Sequence, residues 1–170
     1  MADSDEWFFS ADRHAQLERI NQFFCNFVPH NRALGLKVDD FGRGLAVIRL
    51  PYAAHLVGNP ETGVLHGGAI SALLDATCGA CVFLRTMRPI PVATLDLRID
   101  YLRPAEPGRD VIARADCYHI TKNVAFTRAI AYHDDPAQPI ASAAGTFMMQ
   151  TAGHSVITRA AAAVEAGQIK

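Results

Sequence analysis

The ten residues His66-Gly67-Gly68-Ala69-Ile70-Ser71-Ala72-Leu73-Leu74-Asp75 decide the fold prediction. Two glycines followed by a long apolar run predict a helix from about Gly68 to Arg85, with few charges before its end. Because its residues are apolar on nearly every side, we expect this helix to be buried almost all round. It carries one acid, Asp75.

The start of this helix has the features of an anion site. Glycine has no Cβ, so a ligand can approach the backbone, and the first N–H groups of a helix have no acceptor within it. The N–H of Gly67, aided by that of Gly68, could therefore hold a developing oxyanion. Asp75 follows Gly68 by seven residues, about two turns, which places it on roughly the same side. A tight turn and a solvated acid would also explain these residues, but an acid in an apolar helix is rarely buried without a partner or a function.

Length and composition predict a single domain without basic or membrane-directed features. The 170 residues, half of them hydrophobic, suffice for one substantial core. Sixteen Lys and Arg against 17 Asp and Glu give a net charge of −1, so charge gives no reason to expect nucleic acid or membrane as a partner. We expect no signal peptide and no apolar run long enough to span a bilayer. The expectation is a cytoplasmic protein with four reduced cysteines.

Cys78 and Cys81 form a Cys-x-x-Cys pair, a spacing that occurs in redox and zinc sites. Here the pair falls inside the predicted helix rather than at its start, where a thiolate would be stabilised. No second pair supplies the remaining zinc ligands. We therefore expect both cysteines to serve packing, and we expect no metal and no cofactor.

The remaining segments predict an α+β roll. Periodicity and turn residues indicate further elements in this order: an amphipathic helix over 12–27 ended by Pro29, strands over 34–38 and 45–50 around a turn, an irregular stretch over 52–64, and, after the apolar helix, strands at about 92–103, 109–120, 123–134 and 140–150. Short links between consecutive strands imply a largely antiparallel sheet, with the apolar helix covering one face.

The run Gly63-Val64-Leu65-His66-Gly67-Gly68, followed by Asp75 and by Thr94-Leu95-Asp96-Leu97-Arg98-Ile99-Asp100-Tyr101-Leu102-Arg103-Pro104, resembles the hotdog-fold acyl-CoA thioesterases of the phenylacetate-pathway (PaaI-like) type. The spacing from His-Gly-Gly to Asp is its most specific part. The resemblance implies a hotdog fold, in which an antiparallel sheet wraps a central helix, and hydrolysis of acyl-CoA to free acid and CoA. It also implies three segments: an N-terminal extension with an amphipathic helix (1–33), the thioesterase domain (34–151) and a C-terminal tail or helix (152–170).

The resemblance further implies a set of catalytic residues. In this set, Asp75 acts as general base or nucleophile, the N–H of Gly67 is the oxyanion donor, and His66 orients the loop or contacts the thioester. Thr94 and Asn59 would help to place water or substrate. The interval from Asn59 to His66 is one residue longer than the family's usual interval.

The family's catalytic centre is shared between subunits, so the resemblance implies a homodimer or a dimer of dimers. Gly68 and three cations are expected to contact the phosphate-bearing CoA, although solvated surface charge explains each cation equally well: Arg103, Lys122 and Arg128. Apolar residues predict a dry pocket for an apolar or aromatic acyl group of small to medium size: Cys78, Cys81, Val82, Phe83, Leu95, Leu97, Phe126 and Phe147.

Two other functions compete with this prediction. One is a non-catalytic acyl-CoA-binding or ligand-sensing hotdog module, against which the presence of Asp75 beside His-Gly-Gly argues. The other is a hydratase on the same roll, whose hydration motif is absent from the chain. The sequence leaves open the acyl chain length, aromatic or aliphatic preference, and whether CoA or acyl carrier protein is the carrier.

Overall fold

A computed structural model describes residues 12–87 and 90–149 of the chain. The regular elements of this part are, in chain order, α1 (Arg13–Ile20), a π-helix (Asn21–Asn26), α2 (Pro29–Ala33), β1 (Lys37–Gly42), β2 (Leu45–Leu50), a 3₁₀ turn (Ala54–Leu56), β3 (Val57–Asn59), β4 (Val64–Leu65), α3 (Gly67–Thr86), β5 (Val92–Tyr101), β6 (Val111–Ile120), β7 (Val124–Tyr132) and β8 (Ala141–Met149). The tail or helix expected over 152–170 lies outside the described residues.

Six strands form one antiparallel sheet in the order β1-β2-β6-β7-β8-β5, and β3 pairs with β4 in a separate short hairpin. β6, β7 and β8 are neighbours in both sequence and space. β5 precedes them in the chain. Among the described strands it pairs with β8 alone, so it forms one edge of this sheet while β1 forms the other. This is the antiparallel sheet with one covering helix that the sequence predicted.

The central helix α3 lies against a sheet face built largely from alanine. The inward positions of β2, β6, β7 and β8 include eight buried alanines: Ala46, Ala113, Ala115, Ala125, Ala129, Ala131, Ala141 and Ala143. Such small side chains let the helix approach closely, and the large side chains of α3, such as Leu73, Leu74 and Leu84, fill the remaining space.

By length and composition α3 could cross a membrane, contrary to the expectation that no apolar run is long enough. In the structure, 61% of its most apolar window is buried inside the protein. The apolar residues of α3 are therefore accounted for by the core that the helix forms with the sheet.

The N-terminal helical segment, residues 12–33, departs from the single helix predicted over 12–27. Asp12 caps α1 by accepting hydrogen bonds from the N–H groups of His14 and Ala15. The chain then widens into the π-helix, where the N–H of Phe27 donates to the carbonyl of Gln22. Pro29 begins α2 at its first position, where proline's missing N–H costs nothing.

Two side chains fasten this segment to the outer edge of β1. The amide of Asn21 donates to the carbonyl of Val38 at 3.1 Å and accepts from the N–H of Val38 at 2.7 Å. The guanidinium of Arg13 donates to the carbonyl of Phe41 at 2.6 Å. The segment thus satisfies backbone groups that an edge strand would otherwise expose.

The turn expected over 39–44 is shorter than predicted, because β1 continues to Gly42. Asp39 and Asp40 lie on the strand with exposed side chains, and each pairs with an arginine: Arg49 for Asp39 and Arg13 for Asp40. The sequence prediction therefore assigned two charged residues on the solvent side of a strand to a turn. The actual turn occurs at residues 43–44, where Gly44 adopts a φ of 77°.

Candidate active site

His66 caps the start of α3 and uses its own ring to do so. Its backbone is extended, and its Nδ1 accepts a hydrogen bond from the N–H of Gly68 at 2.9 Å. Nδ1 must be unprotonated to accept, so the ring proton is on Nε2. A Cβ at position 68 would lie 2.9 Å from Nδ1, so the close approach of ring and backbone requires a glycine there.

Because of this cap, the backbone N–H groups of Gly67 and Gly68 differ in their hydrogen bonding. The N–H of Gly68 is taken by His66, whereas the N–H of Gly67 reaches no acceptor among the described residues. Gly67 is also the first residue of the helix, where the backbone dipoles favour negative charge. Of the two predicted donors, only Gly67 therefore has an N–H available for an oxyanion.

Tyr101, at the end of β5, contacts the same helix start and was not singled out from the sequence. Its hydroxyl donates to the carbonyl of Gly67 at 2.6 Å and lies 2.9 Å from the hydroxyl of Ser71. Its place in the alternating pattern of β5 had suggested only an apolar contact. The tyrosine fixes β5 against the first turn of α3.

Asp75, in the middle of α3, forms the second contact with β5. The hydroxyl of Thr94 donates to Oδ1 of Asp75 at 2.7 Å. The other oxygen, Oδ2, accepts no hydrogen bond from residues 12–87 or 90–149, and it is not a buried unpaired atom. Asp75 is half-buried, so its carboxylate is both held by a partner and open to a reactant on one side.

These two contacts are too far apart to act together within one chain. Gly67 and Asp75 are eight residues apart on α3, which corresponds to about 12 Å along the helix axis. A carbonyl bound to the N–H of Gly67 and a group attacking the same carbon would each lie about 3 Å from the reacting atoms. A site that uses both the N–H of Gly67 and the carboxylate of Asp75 would therefore need one of them from another chain.

An apolar cavity of about 350 Å³ opens beside Asp75. Asp75 and Thr94 lie at one part of its wall, and Phe83, Val92 and Phe147 line it from α3, β5 and β8. Other residues expected in the lining lie elsewhere: Cys78, Cys81 and Val82 are buried within the core, Leu95 is 54% exposed, and Phe126 contacts Tyr118 and His119. A bulge in β5 between Thr94 and Asp96 accounts for the displacement of Leu95.

Comparisons with known proteins identify the family of this chain. A family model described as the Thioesterase superfamily matches residues 62–140. The medium/long-chain acyl-CoA thioesterase YigI of Salmonella typhimurium is 31% identical over 146 residues, which cover 78% of this chain and 93% of that protein. The chain belongs to the thioesterase superfamily.

Solved structures extend the match across the fold of this thioesterase. A Pseudomonas aeruginosa protein is 48% identical, covers 79% of this chain and 98% of its own, and has a TM-score of 0.71. A mutant of the phenylacetic acid degradation protein PaaI from Thermus thermophilus is 30% identical, covers 72% of this chain and 99% of its own, and has a TM-score of 0.63. The predicted hotdog fold and the predicted class of enzyme, a thioesterase, are confirmed.

In this thioesterase, Asn59 is the last residue of β3, directly before the turn to β4. Its side-chain oxygen accepts from the N–H groups of Glu61 at 3.0 Å and Thr62 at 3.4 Å, and its carbonyl accepts from Gly63. The side chain is exposed and shapes its own loop. Within one chain the structure does not bring it to Asp75 or to Gly67.

The three predicted CoA-binding cations differ in their surroundings. Arg103 binds Glu106 and the carbonyl of Gln138, so its charge is already engaged. Arg128 lies over the ring of Tyr118 at 5.8 Å. Lys122 is exposed in the turn between β6 and β7 and forms no ion pair with another described residue.

The cysteines of the thioesterase are buried and unpaired. Burial raises the pKa of Cys78 to about 11 and raises the pKa of Cys81 still further, so both thiols stay protonated at neutral pH. Among the described residues, no three His, Cys, Asp or Glu side chains are grouped to hold a metal ion. The Cys-x-x-Cys pair thus lies in the helix–sheet core rather than in a reactive site.

Proposed function

We propose that this thioesterase hydrolyses acyl-CoA to the free acid and CoA. The observation that carries the proposal is the Asp75–Thr94 pair beside an apolar cavity. A carboxylate held by one hydrogen bond can act on water or on the thioester through its free oxygen, while the cavity keeps an acyl chain away from bulk water. The names of the YigI relatives support a medium or long acyl chain.

The proposed reaction assigns a role to each group. Asp75 removes a proton from water, whose oxygen bonds to the thioester carbon, or it attacks that carbon directly. The N–H of Gly67 stabilises the negative carbonyl oxygen of the intermediate. The C–S bond then breaks, and CoA leaves as the thiol after taking up a proton, from protonated Asp75 in the water route and from solvent in the direct route. In the direct route the acyl group remains on Asp75 as an anhydride, and water hydrolyses it to release the free acid and restore the carboxylate. Thr94 positions the Asp75 carboxylate, and His66 holds the turn that aims the N–H of Gly67.

We infer that the site is completed by a second copy of the chain. β5 is a ten-residue edge strand, long enough to pair with another strand. Thr94 contacts Asp75 near its start and Tyr101 contacts Gly67 at its end. If two β5 strands pair antiparallel about a point between residues 97 and 98, Thr94 of each chain lies opposite Tyr101 of the other.

That register brings Asp75 of one chain to the Gly67 end of the other, twice per dimer. The separation of about 12 Å between Gly67 and Asp75 of the same chain then no longer prevents the two groups from acting on one substrate. A homodimer, or a dimer of such dimers, is thus part of the proposed mechanism. Light scattering at assay concentration tests it, since a fully active monomer would contradict the shared site.

For the CoA portion of the substrate, Lys122 and Arg128 are the more available cations, because Arg103 is engaged. In the proposed reaction Gly68 supports the substrate only through its lack of a side chain, since its N–H is used by His66. We expect the enzyme to work in the cytoplasm on soluble acyl-CoA.

A panel of substrates tests the proposed function. Purified enzyme is supplied with acyl-CoAs from acetyl to palmitoyl, with benzoyl- and phenylacetyl-CoA, and the released thiol is measured. Turnover of medium or long acyl chains well above acetyl-CoA is the expected result. Tight binding of acyl-CoA without thiol release would instead favour the non-catalytic binding module.

A further inference from the structure

The cavity beside Asp75 has a wall that comes from the N-terminal helical segment. Phe24, Val28, His30 and Asn31 line it opposite α3. These residues precede the part of the chain matched by the thioesterase family model, which begins at residue 62. A part of the chain outside the family match therefore helps to shape the space next to the proposed catalytic carboxylate.

The floor of the cavity is a row of small residues on α3. Ala72, which precedes Asp75, and Ala76, Gly79 and Ala80, which lie between Asp75 and Phe83, line it. A Cβ added at Gly79 would meet no described atom within 4 Å. Since Gly79 is also one helical turn after Asp75, any side chain placed there would enter the cavity beside the carboxylate.

Two aromatic rings bound the cavity at its far end. Phe83 lies eight residues after Asp75 on α3, about 12 Å along the helix. The ring of Phe24 meets it edge to face, with centroids 5.3 Å apart. A zigzag chain of C–C bonds about 1.5 Å long advances roughly 1.3 Å per carbon, so this distance accommodates roughly eight to ten carbons.

The position of Phe24 is fixed from both sides. Asn31 donates its side-chain N–H to the carbonyl of Phe24 at 2.7 Å, and Asn21, three residues before Phe24, is bonded to Val38 of β1. Asn21 and Phe24 both belong to the π-helix, a conformation found often at functional sites. A ring held in this way can act as a fixed end wall.

We propose that Gly79 and Phe24 determine the length of acyl chain that this enzyme accepts. Gly79 keeps the cavity open beyond the first helical turn from Asp75, and Phe24, packed on Phe83, closes it. The occupant is the acyl chain of the substrate, because the cavity is continuous with Asp75 and Thr94. The inference rests on the proposed acyl-CoA hydrolysis.

The first test is Gly79→Leu, assayed on the acyl-CoA series. The leucine would end the cavity about 6 Å along the helix from Asp75. We expect kcat/KM to fall by about fourfold for each methylene that no longer fits, so the loss should be largest for the longest acyl chains and smallest for acetyl- and butyryl-CoA. The substitution removes a helix-interior glycine, so Tm should not fall, and Gly79→Ala serves as the intermediate size.

The second test is Phe24→Ala, which removes the end wall. We expect the preferred chain to lengthen by two or more carbons, so that kcat/KM rises for the longest acyl chains relative to short ones. Phe23→Ala is the matched control, because Phe23 contacts both Phe24 and Phe83 at 5.2 and 5.4 Å yet does not line the cavity. It should lower Tm to a similar extent without moving the preferred chain length.

The outcomes separate the inference from the function on which it rests. If wild-type enzyme hydrolyses acyl-CoA but Gly79→Leu and Phe24→Ala keep its chain-length profile, or lower all substrates equally, the length assignment is wrong and the function stands. If wild-type enzyme hydrolyses none of the series, the proposed function fails, and the assignment is overturned with it. Opposite shifts in the two variants would support the assignment.

Discussion

β5 contacts α3 at two places, and the two contacts present different kinds of chemical group. At the helix start, Tyr101 binds the carbonyl of Gly67, while the N–H of that residue has no acceptor in the described part of the chain. In the middle of the helix, Thr94 binds the carboxylate of Asp75. The first contact presents a backbone donor, which any sequence with the right cap could supply, whereas the second presents a side chain. The difference indicates that substitutions can disable one place while leaving the other intact.

Asp75→Asn is expected to have the largest effect. The amide keeps the size of the carboxylate and can still accept from Thr94, but it cannot serve as base or nucleophile. We expect kcat to fall roughly 10² to 10⁴-fold, with Tm unchanged. Asp96→Asn, at an exposed acid on β5 two residues after Thr94, is the control and should behave as wild type. Near-normal turnover by purified Asp75→Asn would remove Asp75 from the mechanism.

Gly67→Pro tests the proposed oxyanion donor at the helix start, because it deletes the backbone N–H of residue 67. Gly67 is the first residue of α3, where proline is well tolerated, and His66 before it is already extended, as proline requires. We expect kcat to fall about 10² to 10³-fold, the usual loss for one oxyanion donor.

Gly67→Ala separates this effect from crowding. It keeps the N–H but places a Cβ 3.3 Å from the hydroxyl of Tyr101, as proline also would. It should retain most activity. Equal losses in Gly67→Ala and Gly67→Pro would mean that the space at Tyr101, and not the N–H, is what the site needs.

Mixing Asp75→Asn with Gly67→Pro tests whether the Asp75 carboxylate and the Gly67 N–H act in one site shared between two chains. In a mixed dimer of Asp75→Asn and Gly67→Pro, a shared arrangement leaves one site with both native groups. After unfolding and refolding together, we expect about a quarter of wild-type activity, because half of the dimers are mixed and each has one intact site. A site within one chain would give no recovery above the sum of the two variants.

Thr94→Val should have the smallest effect of these changes. Valine keeps the shape but removes the hydroxyl that donates to Asp75 at 2.7 Å. A hydrogen bond to a charged group is worth about 1.5–3 kcal/mol, so a loss of roughly tenfold to a hundredfold in kcat is expected. Thr94→Ser should restore most of it. A serine variant as impaired as the valine variant would show that packing, and not the donor, matters.

The sequence predicted the central helix and the last four strands well because their signals are local. The bounds of α3 were within one residue of the predicted 68–85, since glycines mark its start and a left-handed Met87 ends it. The prediction was weaker where charges are paired across strands, as at Asp39 and Arg49. The π-helix gave no signal, because it depends on anchors such as Val38, far along the chain.

The candidate site was predictable in its residue types and much less in its geometry. Gly67 and Asp75 were predicted from the glycines at the helix start and the acid in an apolar helix, whereas the roles of His66 and Thr94 came only from the family resemblance. That His66 takes the N–H of Gly68 and leaves that of Gly67 free depends on a side-chain rotamer, which no pattern reports. Tyr101 escaped notice because its hydroxyl acts on a residue 34 positions away.

The bonds that Arg13 and Asn21 make to β1 bear on how many copies can join. An open sheet has two edges, and a molecule with both exposed could add neighbours without limit into a growing filament. Here one edge is occupied at the carbonyl of Phe41 and at both backbone groups of Val38. Within residues 12–87 and 90–149, β5 is the one edge strand left for pairing, and a single self-complementary edge is occupied once two molecules pair through it. If two copies pair through β5, as we propose, the helical segment would therefore limit strand pairing to a closed pair.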